Sequence, residues 1–251
     1  MSIRKKILAI SIGPVLVLGV ITLLFILTMV KSSLMDEVQD ALKGTAAATL
    51  AAYDQNTGDY LESTNGDIWK GSYNISKSES LVDRIKENTG MDVTFFYGNK
   101  RIMTSALDKK GNRILGSEAG ERVVNQVIKG KKPFFSTNVS LDGTRNYGYF
   151  IPVYQNGTTD QVIGMVFVGT NKAKKDAIVN KILGSIMMAL LVVLLLCIVT
   201  AMRMAASISK NIKNSVAVVG KLADGDLNVW VDEKLLKRKD EIGDLSRGTM
   251  T

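Results

Sequence analysis

Two long stretches without a charged residue dominate the pattern of apolar and polar positions. They cover residues 7–30 and 182–202, and a polar segment, residues 31–181, lies between them. A helix needs roughly 20 apolar residues to cross the hydrocarbon core of a bilayer, which is about 30 Å thick. Both stretches reach that length, so the pattern predicts two transmembrane helices that flank one polar domain.

The charges beside the first stretch predict its orientation. Three basic residues occupy positions 4–6 in front of it, and only Lys31 follows it directly. Because cytoplasmic flanks carry an excess of Lys and Arg, we expect residues 1–6 and 203–251 inside the cell and residues 31–181 outside. The stretch is also longer than the apolar core of a cleaved signal peptide, about 7 to 15 residues. We therefore expect a multi-pass plasma-membrane protein with both termini in the cytoplasm.

Within the polar segment, the period of the apolar positions changes from helical to strand-like. From position 31 to about 62 they recur every three or four residues, which predicts that the first helix continues outward. A loop is expected at 63–76, and a short helix at 78–88. A further helix is expected at 117–128, and strands are expected at 92–97, 100–106, 134–140, 144–154 and 161–170.

Turn residues separate several of the predicted strands. Gly98-Asn99, Asp142-Gly143 and Asn156-Gly157 stand between neighbours. Asp-Gly and Asn-Gly favour the tight turns of antiparallel hairpins. Five antiparallel strands cannot bury a face alone, so the long first helix is expected to pack on the sheet. The predicted fold class is therefore α+β.

The tail after the second stretch has a heptad pattern. Its seam positions, spaced by four, three, four and three residues, are Ile208, Ile212, Ser215, Val219 and Leu222. This spacing is typical of the seam of a helical bundle. The helix is expected to stop at 224–227, where the sequence reads DGDL, and a second helix to begin at 240–243, where it reads DEIG.

Composition excludes several kinds of chemistry. The chain has no histidine, which excludes Ser-His-Asp and Cys-His catalysis, imidazole metal sites and a phosphoacceptor histidine. Cys197 is the single cysteine, so no disulfide can form within the chain. The net charge of +8 is scattered rather than gathered in a basic stripe. We expect no enzymatic activity, no catalytic or metal site, no cofactor and no nucleic-acid partner.

Parts of the polar segment resemble a known sensor family. The sequence TGMDVTFFYGNKRIMTSAL, then Gly116 with the helix after it, then YFIPVYQNGTTDQVIGMVFVG are its most specific parts. Over roughly residues 35–180 the chain resembles the single-Cache sensor domains of bacterial methyl-accepting chemotaxis proteins. The resemblance implies a PAS-like sheet with a ligand pocket on one face.

The tail is similar to HAMP relay domains. The similarity rests on a heptad helix directly after an apolar span, the GDL stop and the DEIG start. It implies a parallel four-helix bundle and hence a homodimer. Asn211 stands where the family often has proline, and Ser215 places a polar group in the seam, so either would loosen the bundle. The second helix has barely begun at Thr251, so we expect an incomplete HAMP domain and a missing output domain.

The resemblance implies a ligand-binding arginine on the second strand. Arg101 occupies that place, where a guanidinium can hold a carboxylate by two parallel hydrogen bonds. Thr104 or Ser105 is expected to add a hydroxyl. Side chains alternate between the faces of a strand, so Arg101 and Ser105 share one face and Thr104 takes the other. Only a bulge would let Arg101 and Thr104 meet.

Further candidates lie on and near the fourth strand. Tyr147, Tyr149 and Phe150 are expected to wall the pocket, and Lys131 or Lys132 to cap it. The alternatives stay open: Arg101 as a surface residue, the aromatic residues as ordinary sheet packing, and the lysines in solvent.

These observations favour a chemoreceptor input module. A small extracellular molecule, with an organic anion as the favoured class, would bind outside. HAMP would then relay the signal to a cytoplasmic signalling domain, and through it to the chemotaxis kinase complex. Two alternatives remain: the input of a histidine kinase or cyclic-nucleotide cyclase whose catalytic domain lies beyond residue 251, or a binding-only or inactive membrane protein.

Overall fold

The computed structural model describes residues 3–225 and 241–248. The chain divides into two compact units. One unit is Met29–Ile182, and the other combines Met1–Thr28 with Leu183–Thr251. The first unit contains the predicted sensor segment, and it is described by itself below.

Two helices of 52 residues each carry the apolar stretches. Helix α1 runs over Ile3–Asp54, and helix α4 runs over Lys172–Ala223. Each contains a window long and apolar enough to cross a membrane, with mean hydropathy 2.7 in the first and 3.1 in the second. Neither window is buried inside the protein. Helix α1 ends at Asp54 rather than near 62, because the residues after it include Gly58 at φ 109°, a conformation that other residues rarely adopt.

The large sheet of the sensor unit has five antiparallel strands. In chain order these are β4 (Asp92–Tyr97), β5 (Lys100–Thr104), β6 (Phe134–Leu141), β7 (Thr144–Tyr154) and β8 (Val162–Asn171). Their order across the sheet is β5-β4-β8-β7-β6. The five predicted strands are confirmed. Helix α2 (Glu79–Thr89) also lies where a short helix was predicted, and Gly90 caps it in the left-handed conformation.

The predicted loop at 63–76 instead contains a small antiparallel sheet. Its strands are β1 (Tyr60–Glu62), β2 (Ile68–Lys70) and β3 (Tyr73–Asn74), and a short 3₁₀ helix, Ile75–Lys77, follows. Lys70 is 3% exposed; its ammonium lies 3.4 Å from the carboxylate of Asp54 and 4.1 Å from the ring centre of Tyr60. These contacts, rather than an apolar alternation, hold strands that are too short to give a periodic signal.

The helix predicted at 117–128 is also different in form. Residues before Gly120 are irregular, and helix α3 (Glu121–Val123) passes directly into a π-helical turn, Val124–Lys129. The amide of Gly130 donates to the carbonyl of Asn125 at 3.0 Å, the wide spacing of a π turn. Val127 from this turn is fully buried against the sheet.

The two faces of the large sheet carry separate cores. Helices α1 and α2 cover the first face, as predicted for the long helix. Members of this first core are Leu42, Ala46, Tyr53, Val82, Val93, Phe95, Met103, Tyr147, Tyr149, Val166 and Val168. The second core includes Phe96, Ala106, Val127, Leu141, Phe150, Met165 and Phe167. Both cores consist of residues from the sensor unit alone.

Two glycines make room for one aromatic ring in the second core. Gly148 and Gly169 face each other across β7 and β8. A Cβ atom at Gly148 would lie 2.5 Å from Cε2 of Phe167, and one at Gly169 would lie 2.4 Å from its Cζ. The ring of Phe167 therefore rests against the sheet where two facing residues have no side chain.

We expect Gly148→Ala to lower the free energy of unfolding of the segment 33–180 by about 1–3 kcal/mol, because the new methyl group overpacks the site of Phe167. Urea denaturation followed by circular dichroism measures this. Gly44→Ala is the control: it meets nothing within 4 Å on helix α1, and helix propensity predicts a gain of up to about 1 kcal/mol. Equal stability of Gly148→Ala and the unchanged segment would contradict the packing described here.

Candidate functional site

One extra residue in strand β5 sets the direction of Arg101. Phe95 pairs with Met103, but Phe96 pairs with Arg101, so Ile102 has no partner and forms a β-bulge. Cross-strand partners point to the same face. Arg101 therefore shares a face with Phe96, and Thr104 shares it as well, because the bulge shifts the alternation by one residue. The bulge is thus present that the sequence analysis required if Arg101 and Thr104 were to share a face.

A cavity of about 510 Å³ lies on this second face, between the sheet and the segment that carries α3 and the π turn. The aromatic rings on this face of its lining are Phe96, Phe134, Phe150 and Phe167, whereas Phe135 borders the cavity with its ring stacked on Tyr147 of the first core. Its charged lining is Arg101, Glu118 and Arg122. Its uncharged polar side chains are Ser136, Thr137, Asn138 and Ser140, all on β6. The volume lies within the usual range for small-molecule sites, about 300–1,000 Å³.

Arg101 is the buried charge of the cavity. The residue is only 8% exposed, and its guanidinium lies 5.4 Å from the ring centre of Phe96. One terminal nitrogen donates to the carbonyl of Ile114 over a long 3.4 Å, and among the described residues Nε finds no acceptor. Burial lowers the pKa of Arg101, and the charge of Asp92 opposes this. Arginine stays protonated at neutral pH all the same, so the lining of the cavity includes a cation that forms no ion pair among the described residues.

The segment after β5 is fixed beside Arg101 by its own contacts. The amide of Arg101 donates to the carbonyl of Ser117, and the amide of Gly116 donates to the carbonyl of Arg101, both at 2.9 Å. Arg113 forms two hydrogen bonds with the carboxylate of Asp83 and a third to the carbonyl of Thr104. These bonds hold the 113–118 segment at the sheet edge.

Thr104 and Ser105, expected to bind ligand, serve the strand pair instead. The hydroxyl of Thr104 lies 2.7 Å from that of Thr94 and also bonds the backbone of Val93 and Ala106. The hydroxyl of Ser105 accepts from the amide of Val93 at 2.9 Å. Neither residue lines the cavity. Their hydroxyl groups have hydrogen-bond partners within the strand pair.

Of the three aromatic candidates on β7, only Phe150 lines the cavity. Tyr147 and Tyr149 belong to the first core, on the face covered by α1. Because side chains alternate along a strand, the two tyrosines lie on the face opposite the cavity, apart from Phe150. Lys131 and Lys132, the expected caps, are exposed and do not line the cavity.

Several lining residues were missed in the sequence. Phe134 pairs with Phe150 across β6 and β7, and their ring centres are 6.4 Å apart. Phe96 and Phe167 come from strands that were predicted, but their shared face depends on the pairing. A second irregularity lies on β6 between Ser136 and Val139. Alternation within the predicted strand was enough to place Phe150 and Tyr149 on different faces of the sheet. No local sequence signal shows which residues of the other strands share the face of Phe150.

On the first face, Tyr147 joins the sheet to helix α4. Its hydroxyl donates to Asp176 at 2.6 Å and accepts from the ammonium of Lys172 at 2.5 Å. Lys172 and Asp176 also form an ion pair at 3.2 Å. Burial raises the pKa of Tyr147, and the hydrogen bond from Tyr147 lowers the pKa of Asp176. Because β8 ends at Asn171 and α4 begins at the next residue, these contacts clamp the first turn of α4 to β7.

Metal binding has no candidate within residues 3–225 and 241–248. No group of three or more His, Cys, Asp or Glu residues there is arranged to hold an ion.

The sensor segment has similarity to known proteins. Residues 73–182 match the family model for single cache domain 3. A solved structure of an extracellular ligand binding receptor from Desulfohalobium retbaense DSM5692 aligns with a TM-score of 0.41 and 16% sequence identity. That alignment covers 59% of this chain and 25% of the receptor, so this chain spans about a quarter of its length. No curated protein matches the chain. The expected single Cache domain is confirmed for residues 73–182, which contain the whole large sheet and the lining of its cavity.

We expect Thr104→Val to lower the free energy of unfolding by about 1–3 kcal/mol, because it leaves buried partners of the hydroxyl unsatisfied. Urea denaturation of the segment 33–180 measures the loss. Thr144→Val, at an exposed position, is the control and should stay within about 0.5 kcal/mol of the unchanged protein. Unchanged stability together with lost ligand binding would return Thr104 to the ligand site.

Proposed function

We propose that this chain is the input half of a two-span membrane receptor. Residues 31–181 lie outside the cell, and a small organic anion binds in the cavity beside Arg101. The observation that carries the proposal is a buried guanidinium that lines a cavity in a Cache-type domain and forms no ion pair among the described residues. The two long apolar helices that flank this domain support its attachment to the membrane.

An anionic ligand follows from the electrostatics of Arg101. A buried cation is costly unless a partner compensates it. Among the described residues no carboxylate forms an ion pair with Arg101. A ligand carboxylate in the cavity would supply the missing charge and accept hydrogen bonds from the guanidinium, the stronger, charge-assisted kind.

The route from the cavity to the membrane runs through strand β7. Phe150 faces the cavity, whereas Tyr147, three residues earlier, binds the first turn of α4 on the other face. A ligand that favours one position of β7 therefore biases the position of Asp176 and the helix that carries it. Such a ligand acts by its differential affinity for two states.

For the output we propose a HAMP-type relay that forms a homodimer and signals in chemotaxis through a following domain, with no catalysis in this chain. Helix α4 continues to Ala223 and a further helix, α5 (Glu241–Gly248), begins beside the DEIG sequence. Val219 on the predicted seam is 45% exposed, which leaves it accessible to a second copy. Positions 226–240, which include part of the predicted stop and the connector, lie outside the described residues.

We expect Arg101→Met to weaken binding of an anionic ligand about 10- to 100-fold, because it removes charge-assisted hydrogen bonds but keeps the volume of the side chain. The test is a thermal-shift screen of short carboxylates, amino acids and neutral sugars on the full chain in detergent. A ligand whose free concentration is 100 times its Kd should stabilise the unchanged protein by about 2.7 kcal/mol.

Arg84→Ala is the matched control for this screen, since Arg84 is exposed on α2 on the opposite side of the sheet. It should respond like the unchanged protein. Equal shifts in Arg101→Met and Arg84→Ala would make Arg101 a bystander, and a neutral sugar as the sole hit would remove the anion.

For the dimer we expect a cysteine at Val219 to cross-link with its twin in membranes several times more efficiently than a cysteine at Lys221. Seam residues of a parallel bundle face each other, whereas Lys221 lies off the seam. Both variants are made with Cys197→Ala, and dimer bands are compared after mild oxidation. Similar yields at 219 and 221 would speak against the bundle.

A further inference from the structure

We infer that the anion bound by this cavity is a carboxylate with a flat aromatic body, held with its charge at Arg101 and its ring among phenylalanine side chains. This inference rests on the proposed function and specifies the class of ligand. Three features carry it: the composition of the wall, the volume of the cavity, and the distribution of charge.

Phenylalanine rings form the apolar wall of the cavity. Phe150 lies at their centre, 4.7 Å from the ring centre of Phe167 and 6.4 Å from that of Phe134. Phe96 continues the wall toward Arg101, whose guanidinium lies 5.4 Å from the ring centre of Phe96. Aromatic rings pair favourably edge-to-face or in offset stacks, so this wall favours an aromatic partner over an aliphatic one.

The glycine pair sets the place of Phe167, which lines the cavity. Because Gly148 and Gly169 have no side chains, the ring of Phe167 rests against the backbone of the sheet. A cavity of about 510 Å³ remains above this floor. Acetate or another two- or three-carbon acid would reach Arg101 but leave most of the phenylalanine wall uncovered. An aryl acid covers it and removes that surface from water.

Charge in the cavity is arranged for one anionic group. Arg101 is the buried cation of the lining, and the other two charged lining residues, Glu118 and Arg122, are exposed. These two carry opposite charges, and the guanidinium of Arg122 lies 5.4 Å from the ring centre of Phe134. The mouth is therefore close to neutral overall, whereas the buried end is cationic. A monocarboxylate matches this arrangement better than a dicarboxylate.

The test uses isothermal titration calorimetry on the full chain in detergent with four matched probes. Phenylacetate carries both features, acetate lacks the ring, 2-phenylethanol lacks the charge, and cyclohexylacetate keeps the charge and a six-membered ring that is neither aromatic nor flat. We expect phenylacetate to bind about 10- to 100-fold more tightly than acetate and 2-phenylethanol, and several-fold more tightly than cyclohexylacetate.

A variant of the wall gives a second, independent readout. Phe134 is only partly buried, so Phe134→Leu is expected to fold. It should weaken phenylacetate about 2- to 10-fold, the range for one aromatic pair, and leave acetate unchanged. Tyr97→Leu is the control, because Tyr97 is equally half-buried but packs on the first core. It should bind phenylacetate like the unchanged protein.

The outcomes separate the two proposals. If acetate binds in an Arg101-dependent way and phenylacetate binds no more tightly, the aromatic inference is overturned and the anion sensor stands. If 2-phenylethanol binds as tightly as phenylacetate, the charge at Arg101 is irrelevant and the anion proposal fails with it. If none of the four probes binds, the aromatic inference is overturned, and the broader screen of carboxylates, amino acids and sugars decides the anion proposal.

Discussion

The bulge at Ile102 is the constraint on which the site depends. Without the extra residue, regular alternation would turn Arg101 toward helices α1 and α2, into a core that contains Tyr53 and Phe95. An unpaired guanidinium there would cost several kcal/mol. With the bulge, the cation lines a cavity, while Met103 keeps its place in the first core. One unpaired residue thus puts Arg101 and Met103, on the same short strand, on opposite faces of the sheet.

Stability and recognition occupy opposite faces of one sheet. The first face, under α1 and α2, is closed by large side chains that are fully buried, such as Tyr53 and Tyr147. The second face has a core of its own but leaves space beside it. Strand β7 belongs to both, since Phe150 contributes to the cavity and Tyr147 binds α4. The same strand therefore contributes to the lining of the cavity on one face and contacts the first turn of α4 on its tightly packed other face.

Periodicity and turn residues were enough to predict the five strands and helix α2, and the long charge-free stretches were enough to predict the two long helices, because these signals lie within each element. The small sheet at Tyr60–Asn74 was not predictable in that way, since it rests on the ion pair and ring contact of Lys70. The site was predicted only in part. Arg101 and Phe150 line the cavity, but the tyrosines of β7 and the hydroxyls of β5 do not. Bulges and strand pairing decide which face a residue takes, and both arise from contacts between segments far apart in the chain.

The glycine pair beneath Phe167 has a consequence for how such pockets diverge. Gly148, Gly169 and Phe167 fill one common volume, so none of the three can enlarge while the other two stay the same. A smaller residue at 167 would release space for a methyl group at 169, whereas a methyl group at 148 would still lie 2.8 Å from Cγ2 of Val139. The floor could then be raised or lowered without moving a strand or touching Arg101. Substitutions at these three positions are therefore coupled in evolution. Together they can change the size of the cavity while Arg101 stays the same.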